Sequence, residues 1–306
     1  MMYIKWHRHE GEINVVSETN SQSLRSEFSM TSRMSSVIFV CALCLGLAST
    51  VFAGAWTQKQ KGYYLKIAAN SLDSRSYYDT EGLEVPKPGM GRLTDFNLAA
   101  YVEYGLLDRL TLVTAVPYKW LSDERSFATG TGTERTWGFG DLDLRLRWQL
   151  KDRPLVISVA AGGKIPLGYH VDEETRVPLG TGKVDGNIRL LLGRSLHPVP
   201  GYLTGEVGYR ARSGRYSSEI FYALEAGWAQ RAFLFKSYVS GVRTLGACGA
   251  MGQTGLVGDQ NILKASPGVI YRLRDRLELS LDLIHIVSGC NTTTGTTLSA
   301  GITLKR

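Results

Sequence analysis

Apolar and polar residues alternate strictly in the stretch GFGDLDLRLRWQL, residues 138–150. Successive side chains of a β-strand point to opposite faces, so the pattern predicts a strand with one apolar and one charged face. The apolar set is Leu142, Leu144, Leu146, Trp148 and Leu150, and the polar set is Asp141, Asp143, Arg145, Arg147 and Gln149. Such a strand suits the surface of a soluble sandwich, or a membrane barrel with lipid outside and a polar lumen inside.

The same alternation recurs along the chain and predicts about twelve strands. They cover residues 63–70, 93–104, 110–120, 138–150, 155–166, 182–193, 202–212, 219–229, 232–243, 262–273, 277–287 and 296–304. Long connections follow the odd-numbered strands and mostly short turns follow the even-numbered ones, as in bacterial outer-membrane barrels. A soluble sandwich would need a core on every apolar face and would rarely keep so many charges opposite it. The sequence therefore predicts an all-β fold, a transmembrane antiparallel up-and-down β-barrel of about twelve strands.

A continuous apolar segment, residues 37–53, lies near the start of the chain. A basic residue precedes it and small residues end it, which predicts a secretory signal peptide cleaved after Ala53. Because signal peptides begin at the initiator methionine, translation is expected to start at Met30 or Met34. The predicted organisation is an untranslated or disordered extension over 1–29, a signal peptide over 30–53 and a barrel domain over 54–306, located in the bacterial outer membrane after export.

Projecting the alternation inward predicts which charged side chains line the lumen and any substrate path. They are Asp95, Glu103, Asp143, Arg145, Arg147, Lys183, Asp185, Arg189, Glu206, Arg210, Arg212, Glu225, Lys236, Arg272, Glu278 and Asp282. Two interpretations are open: the arginines form a ladder that attracts anionic solutes, or they pair with the acids and fill the interior. The second is favoured, because mixed charges cancel the field that steering needs.

Composition and charge exclude several other classes of protein. The formal net charge of +7 is spread along the chain, whereas a nucleic-acid-binding protein would show a clustered basic patch. The glycine-rich stretches lack the strand and helix context of a phosphate-binding loop. No cofactor, metal site or nucleic-acid partner is predicted. The expected partners are outer-membrane lipid and lipopolysaccharide, the barrel assembly machinery and a small-molecule solute.

Two cysteines, Cys248 and Cys290, lie beyond the predicted signal peptide. Each falls in a long loop on the same side of the predicted barrel, and one hairpin separates the two loops. An exported protein meets an oxidising compartment, so a disulfide between them is possible. Two unpaired loop thiols are the alternative, since a disulfide needs closely spaced Cα atoms.

Three stretches carry a resemblance to a known family: EYGLLDRLTLVTAVPY from residue 103, GFGDLDLRLRWQL from residue 138 and SPGVIYRLRDRLELSLDL from residue 266. They resemble the MetA-pathway of phenol degradation family of outer-membrane β-barrel proteins. The chain departs from the usual barrel pattern at its end, where Lys305 and Arg306 stand in place of a terminal aromatic residue. The resemblance implies a passive outer-membrane route for small compounds, with hydrophobic or aromatic ones among the candidates.

The predicted function is a passive channel or transporter rather than an enzyme. One alternative is a barrel enzyme acting on lipid or envelope polymer. In the stretch IHIVSGCN, however, His285 and Ser288 are three residues apart and fall on opposite faces of an extended strand. His285 is more readily interpreted as an interfacial residue. The other alternative is a structural or adhesive barrel that uses its tyrosine-rich and glycine-rich loops for contacts.

Overall fold

The computed structural model describes residues 54–127, 130–169, 171, 177–249 and 258–306; the extension and signal peptide predicted over 1–53 lie outside the described residues. A short 3-10 helix, Pro88–Met90, and sixteen strands form the described chain. The strands are β1 (Tyr63–Ser74), β2 (Ser76–Tyr78), β3 (Glu84–Pro86), β4 (Arg92–Leu107), β5 (Leu110–Phe127), β6 (Gly130–Phe139), β7 (Asp141–Lys151), β8 (Val156–Pro166), β9 (Asp185–Ser195), β10 (Gly201–Ala211), β11 (Glu219–Gln230), β12 (Phe233–Thr244), β13 (Asn261–Arg274), β14 (Leu277–Cys290), β15 (Thr292–Thr293) and β16 (Thr296–Lys305). Within these ranges no helix has the length and apolar character needed to cross a membrane.

Twelve long strands close into an antiparallel barrel. β1 pairs with β16 on one side and with β4 on the other, and β4 pairs with β5. From β5 the order runs through β7, β8, β9, β10, β11, β12, β13 and β14 to β16, which completes the circle. The predicted all-β, up-and-down barrel is therefore confirmed. We call the end at which β1 stops and β4 starts the loop end, and the end of the β4–β5 connection the turn end.

One hairpin extends beyond the circle of strands at the loop end. The first part of β5 pairs with β7, and its second part pairs with β6. The long connection expected over residues 122–138 is therefore not a loop, because β5 continues to Phe127 and β6 begins at Gly130. Aromatic cross-strand contacts stabilise the extension: the rings of Tyr118 and Phe139 meet edge to face at 5.0 Å. Gly140, the one residue between β6 and β7, separates the hairpin from the barrel strand that follows.

The two faces of the barrel have opposite chemistry. On the outer face, Leu283 has 47% of its surface exposed, whereas the inward Glu103 has 1%. Exposed aromatic side chains cluster near both ends of the strands. They are Phe96, Trp120, Trp137 and Phe139 towards the loop end, and Tyr104, Trp148, Trp228, Phe233 and Tyr271 towards the turn end. An apolar band with aromatic rings at both edges is the outer surface of a membrane barrel.

Long connections cover the loop end. β2 pairs with β3 and with β15, which joins the connection after β1 to the one after β14 in a small separate sheet. A disulfide links Cys248, after β12, to Cys290, at the end of β14, so the pairing that loop placement left open is present. Asp259, fully buried beneath this cover, accepts hydrogen bonds from the Ser217 backbone N–H at 3.0 and 3.3 Å. The connections at the loop end are thus joined to one another by covalent and polar contacts.

Candidate functional site in the barrel lumen

The N-terminal segment, residues 54–61, enters the lumen from the turn end. Ala55 is completely buried in an apolar cluster with Val156 and Leu191. The Ser158 hydroxyl donates a hydrogen bond to the Ala55 carbonyl oxygen at 2.5 Å. Trp56 packs against the cluster and meets the Tyr202 ring edge to face, with 6.3 Å between ring centroids. Burial of apolar side chains therefore fixes this segment inside the barrel.

Arg147 connects the N-terminal segment to the barrel wall. Its Nη1 donates to the carbonyl oxygens of Gly54 at 2.5 Å and Trp56 at 2.9 Å, and its Nη2 pairs with Glu103. Glu103 also accepts hydrogen bonds from Gln58 Nε2 at 2.8 Å and from the Tyr101 hydroxyl at 2.5 Å. The side chains of Arg147 and Glu103 are 3% and 2% exposed. Both charges are therefore desolvated and fully paired.

A central cavity of about 230 Å³ lies beside Gly54 in the lumen. Four tyrosines and several charged side chains surround it. Its lining is Gly54, Tyr64, Lys66, Tyr101, Glu103, Arg145, Tyr202, Thr204, Glu206, Ala223, Glu225, Lys236, Tyr238 and Ile270. The Tyr202 hydroxyl donates a hydrogen bond to Glu225 Oε1 at 2.6 Å. The cavity combines aromatic surface with hydrogen-bonding groups, as small-molecule sites do.

Ion pairs cross the lumen around this cavity. Arg189 bridges Glu206 at 2.7 Å and Asp143 at 3.4 Å, and its guanidinium lies 4.4 Å from the Phe221 ring centroid. Arg145 also reaches Asp143, at 3.2 Å. These contacts join β7, β9 and β10, and each of the two arginines is neutralised by an acid next to it.

A second group of ion pairs joins the strands on either side of the closure between β1 and β16. Lys66 and Lys236 both contact Asp282, at 3.3 and 2.8 Å. Nearer the turn end, Glu278 pairs with Lys305 and lies 3.8 Å from Arg272. These contacts link β1, β12, β13, β14 and β16 through their inward side chains.

Ion pairs also form a network near the loop end, which we call the loop-end ion-pair network. Arg212 contacts Glu219 at 2.7 Å, Asp259 at 3.4 Å and Asp185 at 3.9 Å. Arg210 contacts Glu219 at 2.9 Å. Lys164 extends the network through Asp185 at 3.2 Å and Asp141 at 2.8 Å. The side chain of Asp185, which Arg212 and Lys164 both contact, is 1% exposed and is therefore shielded from solvent.

The structure places all but one of the sequence-predicted lumen residues on the inner surface of the barrel. Lys183 is the exception, because β9 begins at Asp185 and Lys183 is an exposed residue of the preceding connection. Arg212 follows the last residue of β10, and its side chain belongs to the loop-end ion-pair network. Asp95 is inward and accepts a hydrogen bond from Asn97 Nδ2 at 2.8 Å.

Several inward charges were missed by the sequence reasoning. They are Lys66, Lys119, Asp141, Lys164, Glu219, Lys264 and Lys305. All fall on the inward set of the strand alternation, which could have found them. Within the described ranges, Lys119 and Lys264 make no ion pair, unlike the lumen arginines.

The inward loop, residues 177–182, occupies the mouth of the barrel at the loop end. Val177 and Leu179 are buried against Leu93 and Leu121, which face inward from β4 and β5. The Tyr169 hydroxyl donates to Asp141 and accepts from the Gly182 backbone N–H at 3.1 Å. Burial, and then the bond to Asp141, raises the pKa of the Tyr169 phenol, so it stays protonated as a donor. Apolar packing and these bonds hold the loop inside.

Leu179→Asp is expected to release the inward loop and raise single-channel conductance in a planar bilayer. A carboxylate in the apolar cluster is poorly solvated, so the segment moves into water rather than bury the charge. Leu167→Asp is the matched control, because Leu167 is exposed in the same connection and outside the cluster. Equal conductance for the two variants would contradict a role of the inward loop in constricting the mouth.

His285 does not meet a catalytic partner in the lumen. It lies on the outward face of β14, where its Nδ1 is 2.9 Å from the Thr296 hydroxyl. Within the described part of the chain, no group of three or more histidine, cysteine and acidic residues is arranged to hold a metal ion.

No family model and no curated protein matches this chain. Among solved structures, an outer membrane channel from Pseudomonas putida F1 matches with a TM-score of 0.63 and 13% sequence identity, over 84% of this chain and 100% of that chain. The chain has the fold of an outer-membrane β-barrel. The NanC porin matches with a TM-score of 0.49 and 9% identity, over 79% of this chain and 100% of that chain. The CymD monoaromatic hydrocarbon channel matches with a TM-score of 0.44 and 10% identity, over 81% of this chain and 89% of that chain. The resemblance to the MetA-pathway family stays a prediction.

Proposed function

We propose that the protein is a passive channel for small solutes in the bacterial outer membrane. The central cavity carries this proposal, because inward side chains of β1, β4, β7 and β10 to β13 line it together with Gly54 of the N-terminal segment. The structural neighbour from Pseudomonas putida F1, described as an outer membrane channel, supports it. In this role the apolar outer face contacts lipid and lipopolysaccharide, the loop end faces outside, and the assembly machinery inserts the exported chain.

The solute class favoured by the cavity is a small compound with an aromatic ring. Tyr64, Tyr101, Tyr202 and Tyr238 supply ring surface on several sides of it. Aromatic rings attract one another in offset or edge-to-face contacts beyond their area of burial. A volume of about 230 Å³ limits the solute to a single small molecule at a time.

Charge selectivity is expected to come from the lysines without ion pairs rather than from an arginine ladder. Arg145 and Arg189 are neutralised by Asp143 and Glu206, which favours the interpretation that arginines fill the interior. Within the described chain Lys119 and Lys264 make no ion pair, so their positive charge is less neutralised than that of the arginines and lowers the barrier for anions. The proposed channel is therefore weakly anion-selective.

Protein purified from outer membranes is expected to give discrete conductance steps in planar bilayers, with reversal potentials that favour anions. The double variant Lys119→Gln, Lys264→Gln should lose most of this preference. Lys236→Gln is the matched control, since Asp282 keeps Lys66 as a partner and the lumen loses the same type of charge. If the control shifts selectivity as strongly per charge removed, the two lysines have no special role.

A matched pair of solutes tests the aromatic preference. Benzenesulfonate should interrupt the ionic current for longer than cyclohexanesulfonate, which has the same charge and a ring without π electrons. The difference should shrink in Tyr101→Leu, Tyr238→Leu protein. A folded barrel that stays silent under all conditions, including with the inward loop released by Leu179→Asp, would contradict the channel itself.

A further inference from the structure

Glu225 is an acid in the central cavity that forms no ion pair in the described chain, although Lys66 lines the same cavity. The residue is 6% exposed, and its Oε1 accepts a hydrogen bond from the Tyr202 hydroxyl at 2.6 Å. Across the described chain it makes no ion pair within 4.0 Å, whereas Glu103, Glu206 and Glu278 each contact an arginine or lysine. A buried carboxylate without a cation is costly, so a positive group is expected near it.

Gly54 and Glu225 line the same central cavity. Thr204 is directly opposite Glu225 in the pairing of β10 with β11, and both side chains point inward. A Cβ atom added to Gly54 would lie 3.4 Å from the Thr204 hydroxyl oxygen. Arg147 holds the Gly54 carbonyl oxygen at 2.5 Å. Gly54 is therefore fixed at the cavity wall, beside the strand that presents Glu225.

We propose that export creates the missing cation, because cleavage after Ala53 leaves the α-ammonium group of Gly54 in the lumen, where it pairs with Glu225. In this step a signal peptidase uses water to break the peptide bond between Ala53 and Gly54, giving a carboxylate on Ala53 and an ammonium on Gly54. An α-amino group with an ordinary pKa of about 8 is mostly protonated at neutral pH. The new terminus is then a ligand of the barrel wall rather than a free end.

This pairing turns the N-terminal segment into a plug on the turn-end side of the central cavity. Arg147 holds the segment by its carbonyl oxygens, the apolar cluster holds Ala55, and the ammonium completes the third attachment at Gly54. A chain that is still attached to its signal peptide lacks the ammonium, so the plug is complete only after export. The effect of the plug on conductance rests on the proposed channel function, whereas the ion pair does not.

Amine labelling tests the ion pair without any transport measurement. The full chain is exported, purified from outer membranes, and treated with acetic anhydride at pH 6.5; mass spectrometry follows acetylation of the N-terminal peptide over time. We expect a mature terminus at Gly54 and acetylation at least about tenfold slower in the folded barrel than in urea-unfolded protein, because the ion pair holds the amine protonated.

Two substitutions and one insertion distinguish the ion pair from burial of the amine alone. Glu225→Gln keeps the acceptor for Tyr202 but removes the charge, and it should restore most of the labelling rate. Glu206→Gln, which removes an acid of the same cavity that already pairs with Arg189, should change the rate little. A glycine inserted between Ala53 and Gly54 moves the amine by one residue and should also restore labelling.

Three results would overturn the proposal. They are a mature terminus other than Gly54, an amine labelled equally fast in folded and unfolded protein, and equal rates for Glu225→Gln and Glu206→Gln. A silent barrel with a protected amine would instead contradict the channel and leave the ion pair standing. For a conducting barrel, Glu225→Gln should also raise the fraction of time spent in the most open state.

Discussion

Arg147→Met lowers the free energy of unfolding by about 3–5 kcal/mol, which is the expected cost of leaving the buried Glu103 without its cation. Both side chains are nearly inaccessible, and Arg147 also donates to the Gly54 and Trp56 carbonyl oxygens. Urea titration in lipid vesicles, followed by tryptophan fluorescence and gel mobility, measures the loss. The N-terminal segment loses its two charged hydrogen bonds as well, so the variant should also conduct more.

Two further variants test the physical reason. Arg194→Met removes an exposed cation near the end of β9 and should change stability by less than about 0.5 kcal/mol. Adding Glu103→Gln to Arg147→Met should recover part of the loss, because no unpaired buried charge then remains. If the double variant is as unstable as the two single losses added together, Glu103 and Arg147 are not coupled as the structure has them.

Leu283→Arg is expected to lower stability in vesicles by about 2–4 kcal/mol, the cost of arginine on the lipid face near the bilayer midplane. Leu283 is exposed on the outer face and pairs with Leu298 on β16. It lies nearer the middle of the barrel wall than the exposed aromatic residues of the turn end, which include Tyr271. The same measurement on Leu273→Arg should give a loss of about 0–1 kcal/mol, because Leu273 lies near the turn end, where arginine reaches water. Equal losses at the two positions would contradict this placement of the lipid band.

The paired charges of the lumen have a consequence for transport. An arginine that contacts two acids contributes little field at a distance, so solutes meet a wall of short-range hydrogen-bond partners rather than an electrostatic funnel. Arg189 illustrates this, since it contacts Glu206, Asp143 and the Phe221 ring at once. Passage past such a wall depends on solute size and on ring contacts more than on net charge.

The sequence alone determined the fold class and the direction of nearly every strand side chain. Period-two alternation is a local property of an extended backbone, so Leu144 and Arg145 fall on opposite faces wherever the strand lies. The one wrong lumen residue, Lys183, stands just outside its strand, where alternation no longer applies. The missed residues, such as Lys264, obey the same alternation, so the pattern by itself identifies them as inward.

The tertiary structure alone decided which charges meet and what enters the lumen. Arg147 and Glu103 are 44 positions apart, and Glu225 shares a cavity with Gly54 only because β10 and β11 pass the point where the N-terminal segment is held. The inward loop likewise depends on Leu93 and Leu121, which belong to strands far from it in the sequence. Alternation says that a side chain points inward. The register and closure of the barrel decide which residues that side chain contacts, because they set which strands face each other across the lumen.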